Sequence, residues 1–309
     1  MGKIENLVVI LYGENNYYGL NIINSLLKNN LIPKAILIEK TKSGSFNEAK
    51  MQFEKAYKKK GLAGCAEKFS RNSIGFFIFL GLIKGWSSQE TYKLAKPDLK
   101  FFEFGLKLNN LCLEEKGIEI VYCENNSPET INYCNQNNIE IIIGSPTIIK
   151  KETLHKTKGK FVNAHPAFLP YIRGRHSEVW SILYGLNLGA TLHFMDQGID
   201  TGKIIGRSFF PFEEYDTWGT LRLKGKDHCI RLYLKHLKDL CFGEIKYDDL
   251  AFQDISIGKK TFGVNFFDYY RCRRNFQFLK KMIHDRKSIG LPDPGNFYTY
   301  KNHIGSDLE

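Results

Sequence analysis

The stretch that sets the fold is residues 6–38. It opens with Asn6-Leu7-Val8-Val9-Ile10-Leu11, an unbroken apolar run behind a polar residue. Such a run suits a strand buried on both faces of a parallel sheet. Gly13 and a polar loop follow. Gly19 to Lys28 reads as a helix with Leu20, Ile22, Ile23, Leu26 and Leu27 to one side, and Ala35-Ile36-Leu37-Ile38 reads as a second strand. Strand, loop, helix and strand in under forty residues form a right-handed βαβ crossover.

The same rhythm recurs further along the chain. Ile118 to Tyr122 and the very apolar Ile139 to Ile143 read as strands, with a helix between them that starts at Ser127-Pro128-Glu129. Phe161 to Asn163, Gly189 to Phe194 and Ile204 to Phe210 read as further strands, and Glu178 to Tyr184 as a short helix. A long helix is expected from Thr217 to about Cys241, with Asp216 as its cap. The fold expected is α/β: a Rossmann-like open, mostly parallel sheet with helices on both faces. Residues 40–115 break the rhythm. They are Lys-dense, with a helical pattern over Asn47 to Lys60, an aromatic stretch from Phe76 to Trp86, and an amphipathic segment limited by Pro97 and running to Glu115. They read as a helical insert in a domain spanning 1–243, and 244–309 reads as a small C-terminal appendage.

Composition narrows the function classes. No apolar run in the 309 residues approaches a spanning helix, and the longest, Phe76 to Ile83, is interrupted by Gly81. The chain opens directly on a strand pattern without the signature of a secretory signal. The seven cysteines are scattered, odd in number and without a C-x-x-C pair, so neither a disulfide framework nor a zinc site is expected. These features point to a soluble, cytoplasmic protein without a membrane partner. With 44 Lys and Arg against 33 Asp and Glu, the net charge of +11 favours anionic partners, from nucleic acid to phosphorylated metabolites. Gly198 to Lys203 lacks the spacing and the Ser or Thr of a phosphate-binding P-loop, and no G-x-G-x-x-G follows the first strand.

The chemistry concentrates in 161–202. Asn163 and His165 lie at the carboxyl end of an expected strand, where open α/β sheets bind ligands. At i and i+2 their side chains point to the same side. An amide donor beside an imidazole suits an oxyanion and acid–base work. Asp200 follows a later strand between Gly198 and Gly202, which let the chain turn tightly around it. Taken singly, Asn163 could tie a turn, His165 fill the core and Asp200 cap a loop; the three together with Pro166, Leu169-Pro170 and Arg173-Gly174 argue for a site.

The pattern Asn163-x-His165-Pro166-x-x-Leu169-Pro170-x-x-Arg173-Gly174, followed by His193-x-x-Asp196-x-Gly198-Ile199-Asp200-Thr201-Gly202, resembles the N10-formyltetrahydrofolate-dependent formyltransferases. The resemblance is strong over about 117–242, fair over 6–38 and weak elsewhere. It implies Asn163, His165 and Asp200 as catalytic residues, with no metal and no covalent enzyme intermediate. In that chemistry a neutral amine attacks the formyl carbonyl, Asn163 and His165 stabilise the oxyanion, and Asp200 supports the His and helps remove the amine proton. N10-formyltetrahydrofolate is the implied co-substrate. Its pterin would meet Gly144, Thr147, Ile148, Ile149, Phe194 and Asp196, with Ile148 and Phe194 packing the ring.

Three acceptor classes occur in the family. The loop Tyr12 to Tyr18 carries Glu14 and lacks the glycine cluster expected for glycinamide ribonucleotide. The segment after Cys241 is short for the barrel that methionyl-tRNA enzymes append, so tRNA is the runner-up, kept open by the charge. Arg173-Gly174-Arg175 ahead of Trp180 looks closest to the amino-sugar branch, whose acceptors are nucleotide-linked amino sugars for surface polysaccharides. Arg173, Arg175 and Lys203 could neutralise a diphosphate, and Tyr12, Tyr17 and Trp86 could stack on sugar or base. A non-catalytic folate-binding member is the remaining alternative. Nucleotide sugar, folate and a second copy of the chain make up the expected partners.

Overall fold

The computed structural model describes residues 3–39, 89–145, 148–261 and 266–288. The apolar run at the N-terminus forms β1 (Ile4–Tyr12), followed by α1 (Tyr17–Lys28) and β2 (Pro33–Glu39). After α2 (Gln89–Ala95) come β3 (Glu119–Tyr122), α3 (Pro128–Gln136), β4 (Ile141–Ser145) and α4 (Lys151–Lys156). Then follow β5 (Lys160–His165), β6 (Ile172–Gly174), α5 (Ser177–Tyr184), β7 (Gly189–Phe194) and β8 (Ile204–Phe209). The described chain closes with α6 (Trp218–Cys241), β9 (Lys259–Thr261) and α7 (Phe266–Ser288).

The main sheet runs β3-β2-β1-β4-β5-β7-β8. It is parallel from β3 through β5, and β7 and β8 add antiparallel at one edge. The mostly parallel α/β expectation is met. Leu7 through Leu11 are fully buried, as a central strand covered on both faces requires. Alternation divides them: Leu7, Val9 and Leu11 share a cluster with α1 and α6, whereas Val8 and Ile10 pack with Cys134, Ile149 and Phe161 on the other face. The strand order reverses between β1 and β4, which opens a crevice at the carboxyl ends of the strands.

Two expectations are corrected. The N-cap of α6 is Thr217, not Asp216: Thr217 and Thr220 form a reciprocal capping box. Asp216 is fully buried one residue earlier and accepts from Thr220 Oγ1 at 2.7 Å and Lys224 Nζ at 2.9 Å. The expected helical segment after Pro97 is instead irregular chain with short 3-10 turns. Its backbone is satisfied from outside. Asp227 Oδ1 accepts the N–H groups of Lys100, Phe101 and Phe102 at 3.1, 2.6 and 2.9 Å, and Asn21 exchanges two hydrogen bonds with Glu103. Carboxylate and amide acceptors on α6 and α1 replace the intrahelical partners. The helical and aromatic patterns expected between Asn47 and Trp86 lie outside the described residues.

Beyond α6, β9 pairs with β6, and α7 lays Cys272, Phe276, Leu279 and Ile283 against Val179, Ile182, Phe210 and Phe212. That spacing is one helix stripe. The six cysteines among the described residues are free thiols.

His228 of α6 is bonded to Ser208 Oγ at 2.6 Å and lies 5.0 Å from the Phe210 ring. Burial, with Arg231 and Lys224 nearby, pulls its pKa from 6.5 down to about 4. Between those two values the unfolded chain is protonated and the native state is not, so stability falls as pH drops. The expected loss is about 3 kcal/mol between pH 6.5 and 4. Urea titrations against pH will show it, and His228→Gln will flatten this part of the curve.

Candidate active site

The site grows from β5 and its antiparallel neighbour β7. Asn163 and His165 face the same side of β5, while Val162 and Ala164 face the core. The register sets Asn163 directly opposite His193. Asn163 Nδ2 lies 3.3 Å from His193 Nε2, and His193 Nδ1 lies 2.8 Å from the Phe194 carbonyl. A carbonyl only accepts, so Nδ1 carries the proton of the neutral ring and Nε2 accepts from the Asn163 amide. Burial holds the His193 pKa below 6.5 against the opposing pull of Asp200, which keeps this tautomer neutral. His193 thus fixes which end of the Asn163 side chain is the nitrogen, and leaves its second N–H to donate elsewhere.

Asp200 sits in the loop between β7 and β8 with φ of +53°, a left-handed conformation that Asp tolerates better than most residues. The loop is fastened from within: Asp196 Oδ1 accepts from Gly198 N at 2.9 Å and Thr201 Oγ1 at 2.6 Å. A side chain at Gly202 would collide with the Phe194 carbonyl. Asp200 Oδ2 accepts from Gly174 N at 2.8 Å and lies 3.6 Å from His165 Nε2, while Oδ1 lies 3.7 Å from His193 Nε2. Gln253 donates to the Asp200 carbonyl at 3.3 Å and also to that of Gly202. The carboxylate therefore stands between two imidazoles. His165 Nε2 is buried and has no hydrogen-bond partner.

A cleft of about 220 Å³ opens beside His165, with Arg175, Glu178, Arg222 and Lys226 on its wall. Arg222 Nη1 lies 3.4 Å from Glu178 Oε1.

Asn163, His165 and Asp200 come together, and Arg175 lines the cleft that opens beside His165. Gly144, next to last in β4, has φ of +128°, and a side chain there would strike the backbone of Ile10, so its glycine is required by the close approach of β1. Ile148 is 85% exposed, while Ile149 is buried under the sheet. The Phe194 ring is also buried, edge-on to Tyr247 at 5.1 Å and on the opposite face of β7 from His193. It packs the core rather than a ligand ring, and only its carbonyl reaches the site, because strand alternation sends the two side chains opposite ways. Arg173 is likewise turned inward: it is buried and donates to the Ile255 carbonyl at 3.1 Å. Lys203 donates to the Tyr247 carbonyl at 3.0 Å. Tyr12 is partly exposed at the end of β1. Thr147 and Trp86 lie outside the described residues.

Sequence reasoning did not assign His193, Glu178, Arg222 or Lys226 to the site. His193 had two signals, its place at the head of the second half of the motif and a polar ring in a mostly apolar strand. Arg222 and Lys226 had another, the four-residue spacing that shares a helix face.

Residues 113–237 match the family model described as formyl transferase. The match covers less than half of the chain. All three clustered polar residues of β5 and its partner loop fall inside it. Over 75 residues the chain is 37% identical to dTDP-4-amino-4,6-dideoxyglucose formyltransferase of Mycobacterium bovis, covering 24% of this chain and 32% of that protein. Over 119 residues it is 33% identical to the trifunctional purine biosynthetic protein adenosine-3 of Chironomus tentans, covering 37% of this chain and 8% of that protein. The matched segments thus span a third or less of these relatives. The N-formyltransferase of Helicobacter canadensis, crystallised with folinic acid and dTDP-3-aminofucose, shares the fold. Its TM-score is 0.52 at 17% identity, over 89% of this chain and 82% of that one. No cluster of potential metal ligands occurs among the described residues, and no described helix is long and apolar enough to cross a membrane.

Proposed function

We propose that this chain transfers the formyl group of N10-formyltetrahydrofolate to the amine of a nucleotide-linked amino sugar, giving a formamido sugar and tetrahydrofolate. The observation that carries the reading is the convergence of Asn163, His165 and Asp200 beside a cleft with three cationic side chains. The names of the M. bovis and H. canadensis proteins support the acceptor class.

In this reading the free N–H of Asn163 and the orphaned Nε2 of His165 donate to the carbonyl oxygen as the amine attacks and negative charge develops there. Donors already in place need no reorganisation at that moment. Asp200 Oδ2, 3.6 Å from His165 Nε2, steadies the imidazole beside the developing oxyanion. The amine loses one proton, taken towards Asp200 through water, and the departing folate nitrogen gains one, so the proton count is conserved. The new bond is C–N to the acceptor, and the bond broken is C–N to the folate.

The test is incubation with N10-formyltetrahydrofolate and a panel of dTDP- and UDP-linked 3-amino and 4-amino sugars, with glycinamide ribonucleotide and charged methionyl-tRNA alongside. Tetrahydrofolate release with an amino sugar is expected. Release with methionyl-tRNA or glycinamide ribonucleotide and no sugar would overturn the acceptor class.

A further inference from the structure

Lysines 224 and 226 are two residues apart on α6 and meet opposite fates. Lys224, almost wholly buried, reaches Asp98 at 2.8 Å and Asp216 at 2.9 Å. Lys226 has neither a hydrogen bond nor an ion pair among the described residues; its ammonium stands 3.9 Å over the Tyr18 ring. Burial, with Arg222 one turn away, pushes its pKa down. A cation in such surroundings is costly unless something anionic meets it.

The cleft supplies the place. Lys226 lines it together with Arg222, Arg175 and one carboxylate, Glu178. Glu178 lies 3.4 Å from Arg222 Nη1, which leaves it committed to Arg222. Two positive charges on the wall remain without a carboxylate on that wall to balance them, and the wall also contains His165. An acceptor that presents phosphate oxygens here sets its amine beside the imidazole.

We propose that Lys226, with Arg222 and Arg175, forms the subsite for the phosphoryl oxygens of the acceptor, Lys226 making the central contact. The subsite deepens the amino-sugar reading and rests on it for the acceptor's identity. Its phosphate chemistry is testable without turnover. Lys226 acts as a point-charge donor, and Arg222, aligned by Glu178, offers the planar fork that phosphate accepts.

The experiment is calorimetric titration of the whole chain with inorganic pyrophosphate and with dTDP. Wild type is expected to bind dTDP. Lys226→Met should weaken it about 10- to 100-fold, the worth of one charge-assisted hydrogen bond. Lys226→Arg should recover most of that loss, and Lys235→Met, an exposed lysine on the same helix, should leave binding unchanged. Thermal melts of each variant accompany the titrations. Equal dTDP affinity in wild type and Lys226→Met would overturn the subsite, as would wild type binding neither probe. If dTDP binding depends on Lys226 while no amino sugar is formylated, the subsite stands and the amino-sugar reading falls. If amino sugars are formylated with a KM that Lys226→Met does not move, the amino-sugar reading stands and the subsite falls.

Discussion

Replacing Asn163 or His165 by Ala is expected to lower formyl transfer by about 100- to 1,000-fold each, the usual cost of removing one oxyanion donor. The loss should fall on kcat more than on KM, because in the proposed mechanism both groups act on charge that develops only in the transition state. Asn163 is held for this role by His193, whose Nε2 accepts from the amide at 3.3 Å. His165 Nε2 lies 3.6 Å from Asp200 Oδ2. Neither side chain supports the fold extensively. Asn163 is only partly buried, and His165 Nε2 has no hydrogen bond to lose. Both variants should therefore melt close to wild type, which separates a chemical defect from unfolding. Steady-state kinetics with parallel circular dichroism melts make the check. Activity within a few-fold of wild type in both variants would remove these residues from the chemistry.

Lys224→Met is expected to destabilise the fold by about 3–5 kcal/mol, the cost of leaving a buried partner charge unmatched. Asp216 has no exposed surface and would lose its ammonium at 2.9 Å. Burial already pushes its carboxyl above the usual range, and Lys224 is the largest influence holding it down. With Lys224 gone the native carboxyl takes up a proton more readily than the unfolded one. Stability of the variant then rises as pH falls towards the unfolded carboxylate pKa, and the deficit narrows. Urea unfolding at several pH values will show this. The double change Asp216→Asn with Lys224→Met should regain most of the loss, because no buried charge is left unpaired and the exposed Asp98 keeps its contact with water. The pair also bears on function: Lys224 ties Asp98, at the foot of residues 96–103, to the helix that carries Arg222 and Lys226.

The parallel half of the sheet was legible because its information is local. Five consecutive apolar residues at 7–11 can be buried only between two layers, and the helix stripe that follows dictates the crossover. The direction of β7 and β8 was not legible, since alternation along a strand carries no sign of its neighbour's direction. The chain after Pro97 reads as helical by its apolar spacing, yet its N–H groups go to Asp227, some 125 positions away. Such long-range satisfaction leaves no trace in a sequence window. Asn163, His165 and Asp200 stood out because they lie in two short runs rich in Gly and Pro. Of the cationic wall only Arg175 was legible: Glu178 lies at the start of α5 and Arg222 and Lys226 on α6, and only packing brings them to one cleft with it. Phe194 shows the converse: its place in the motif suggested ring packing, and strand alternation turned it into the core.

The most direct test of the account is to follow the carbon itself. N10-formyltetrahydrofolate labelled with 13C in the formyl group is incubated with the enzyme and a dTDP-linked amino sugar, and the sugar is analysed by mass spectrometry and 13C NMR. The account predicts a labelled formamide on the sugar nitrogen with wild type and none above background with Asn163→Ala and His165→Ala combined. Label that appears on no sugar of the panel, or appears equally with the double variant, would contradict it.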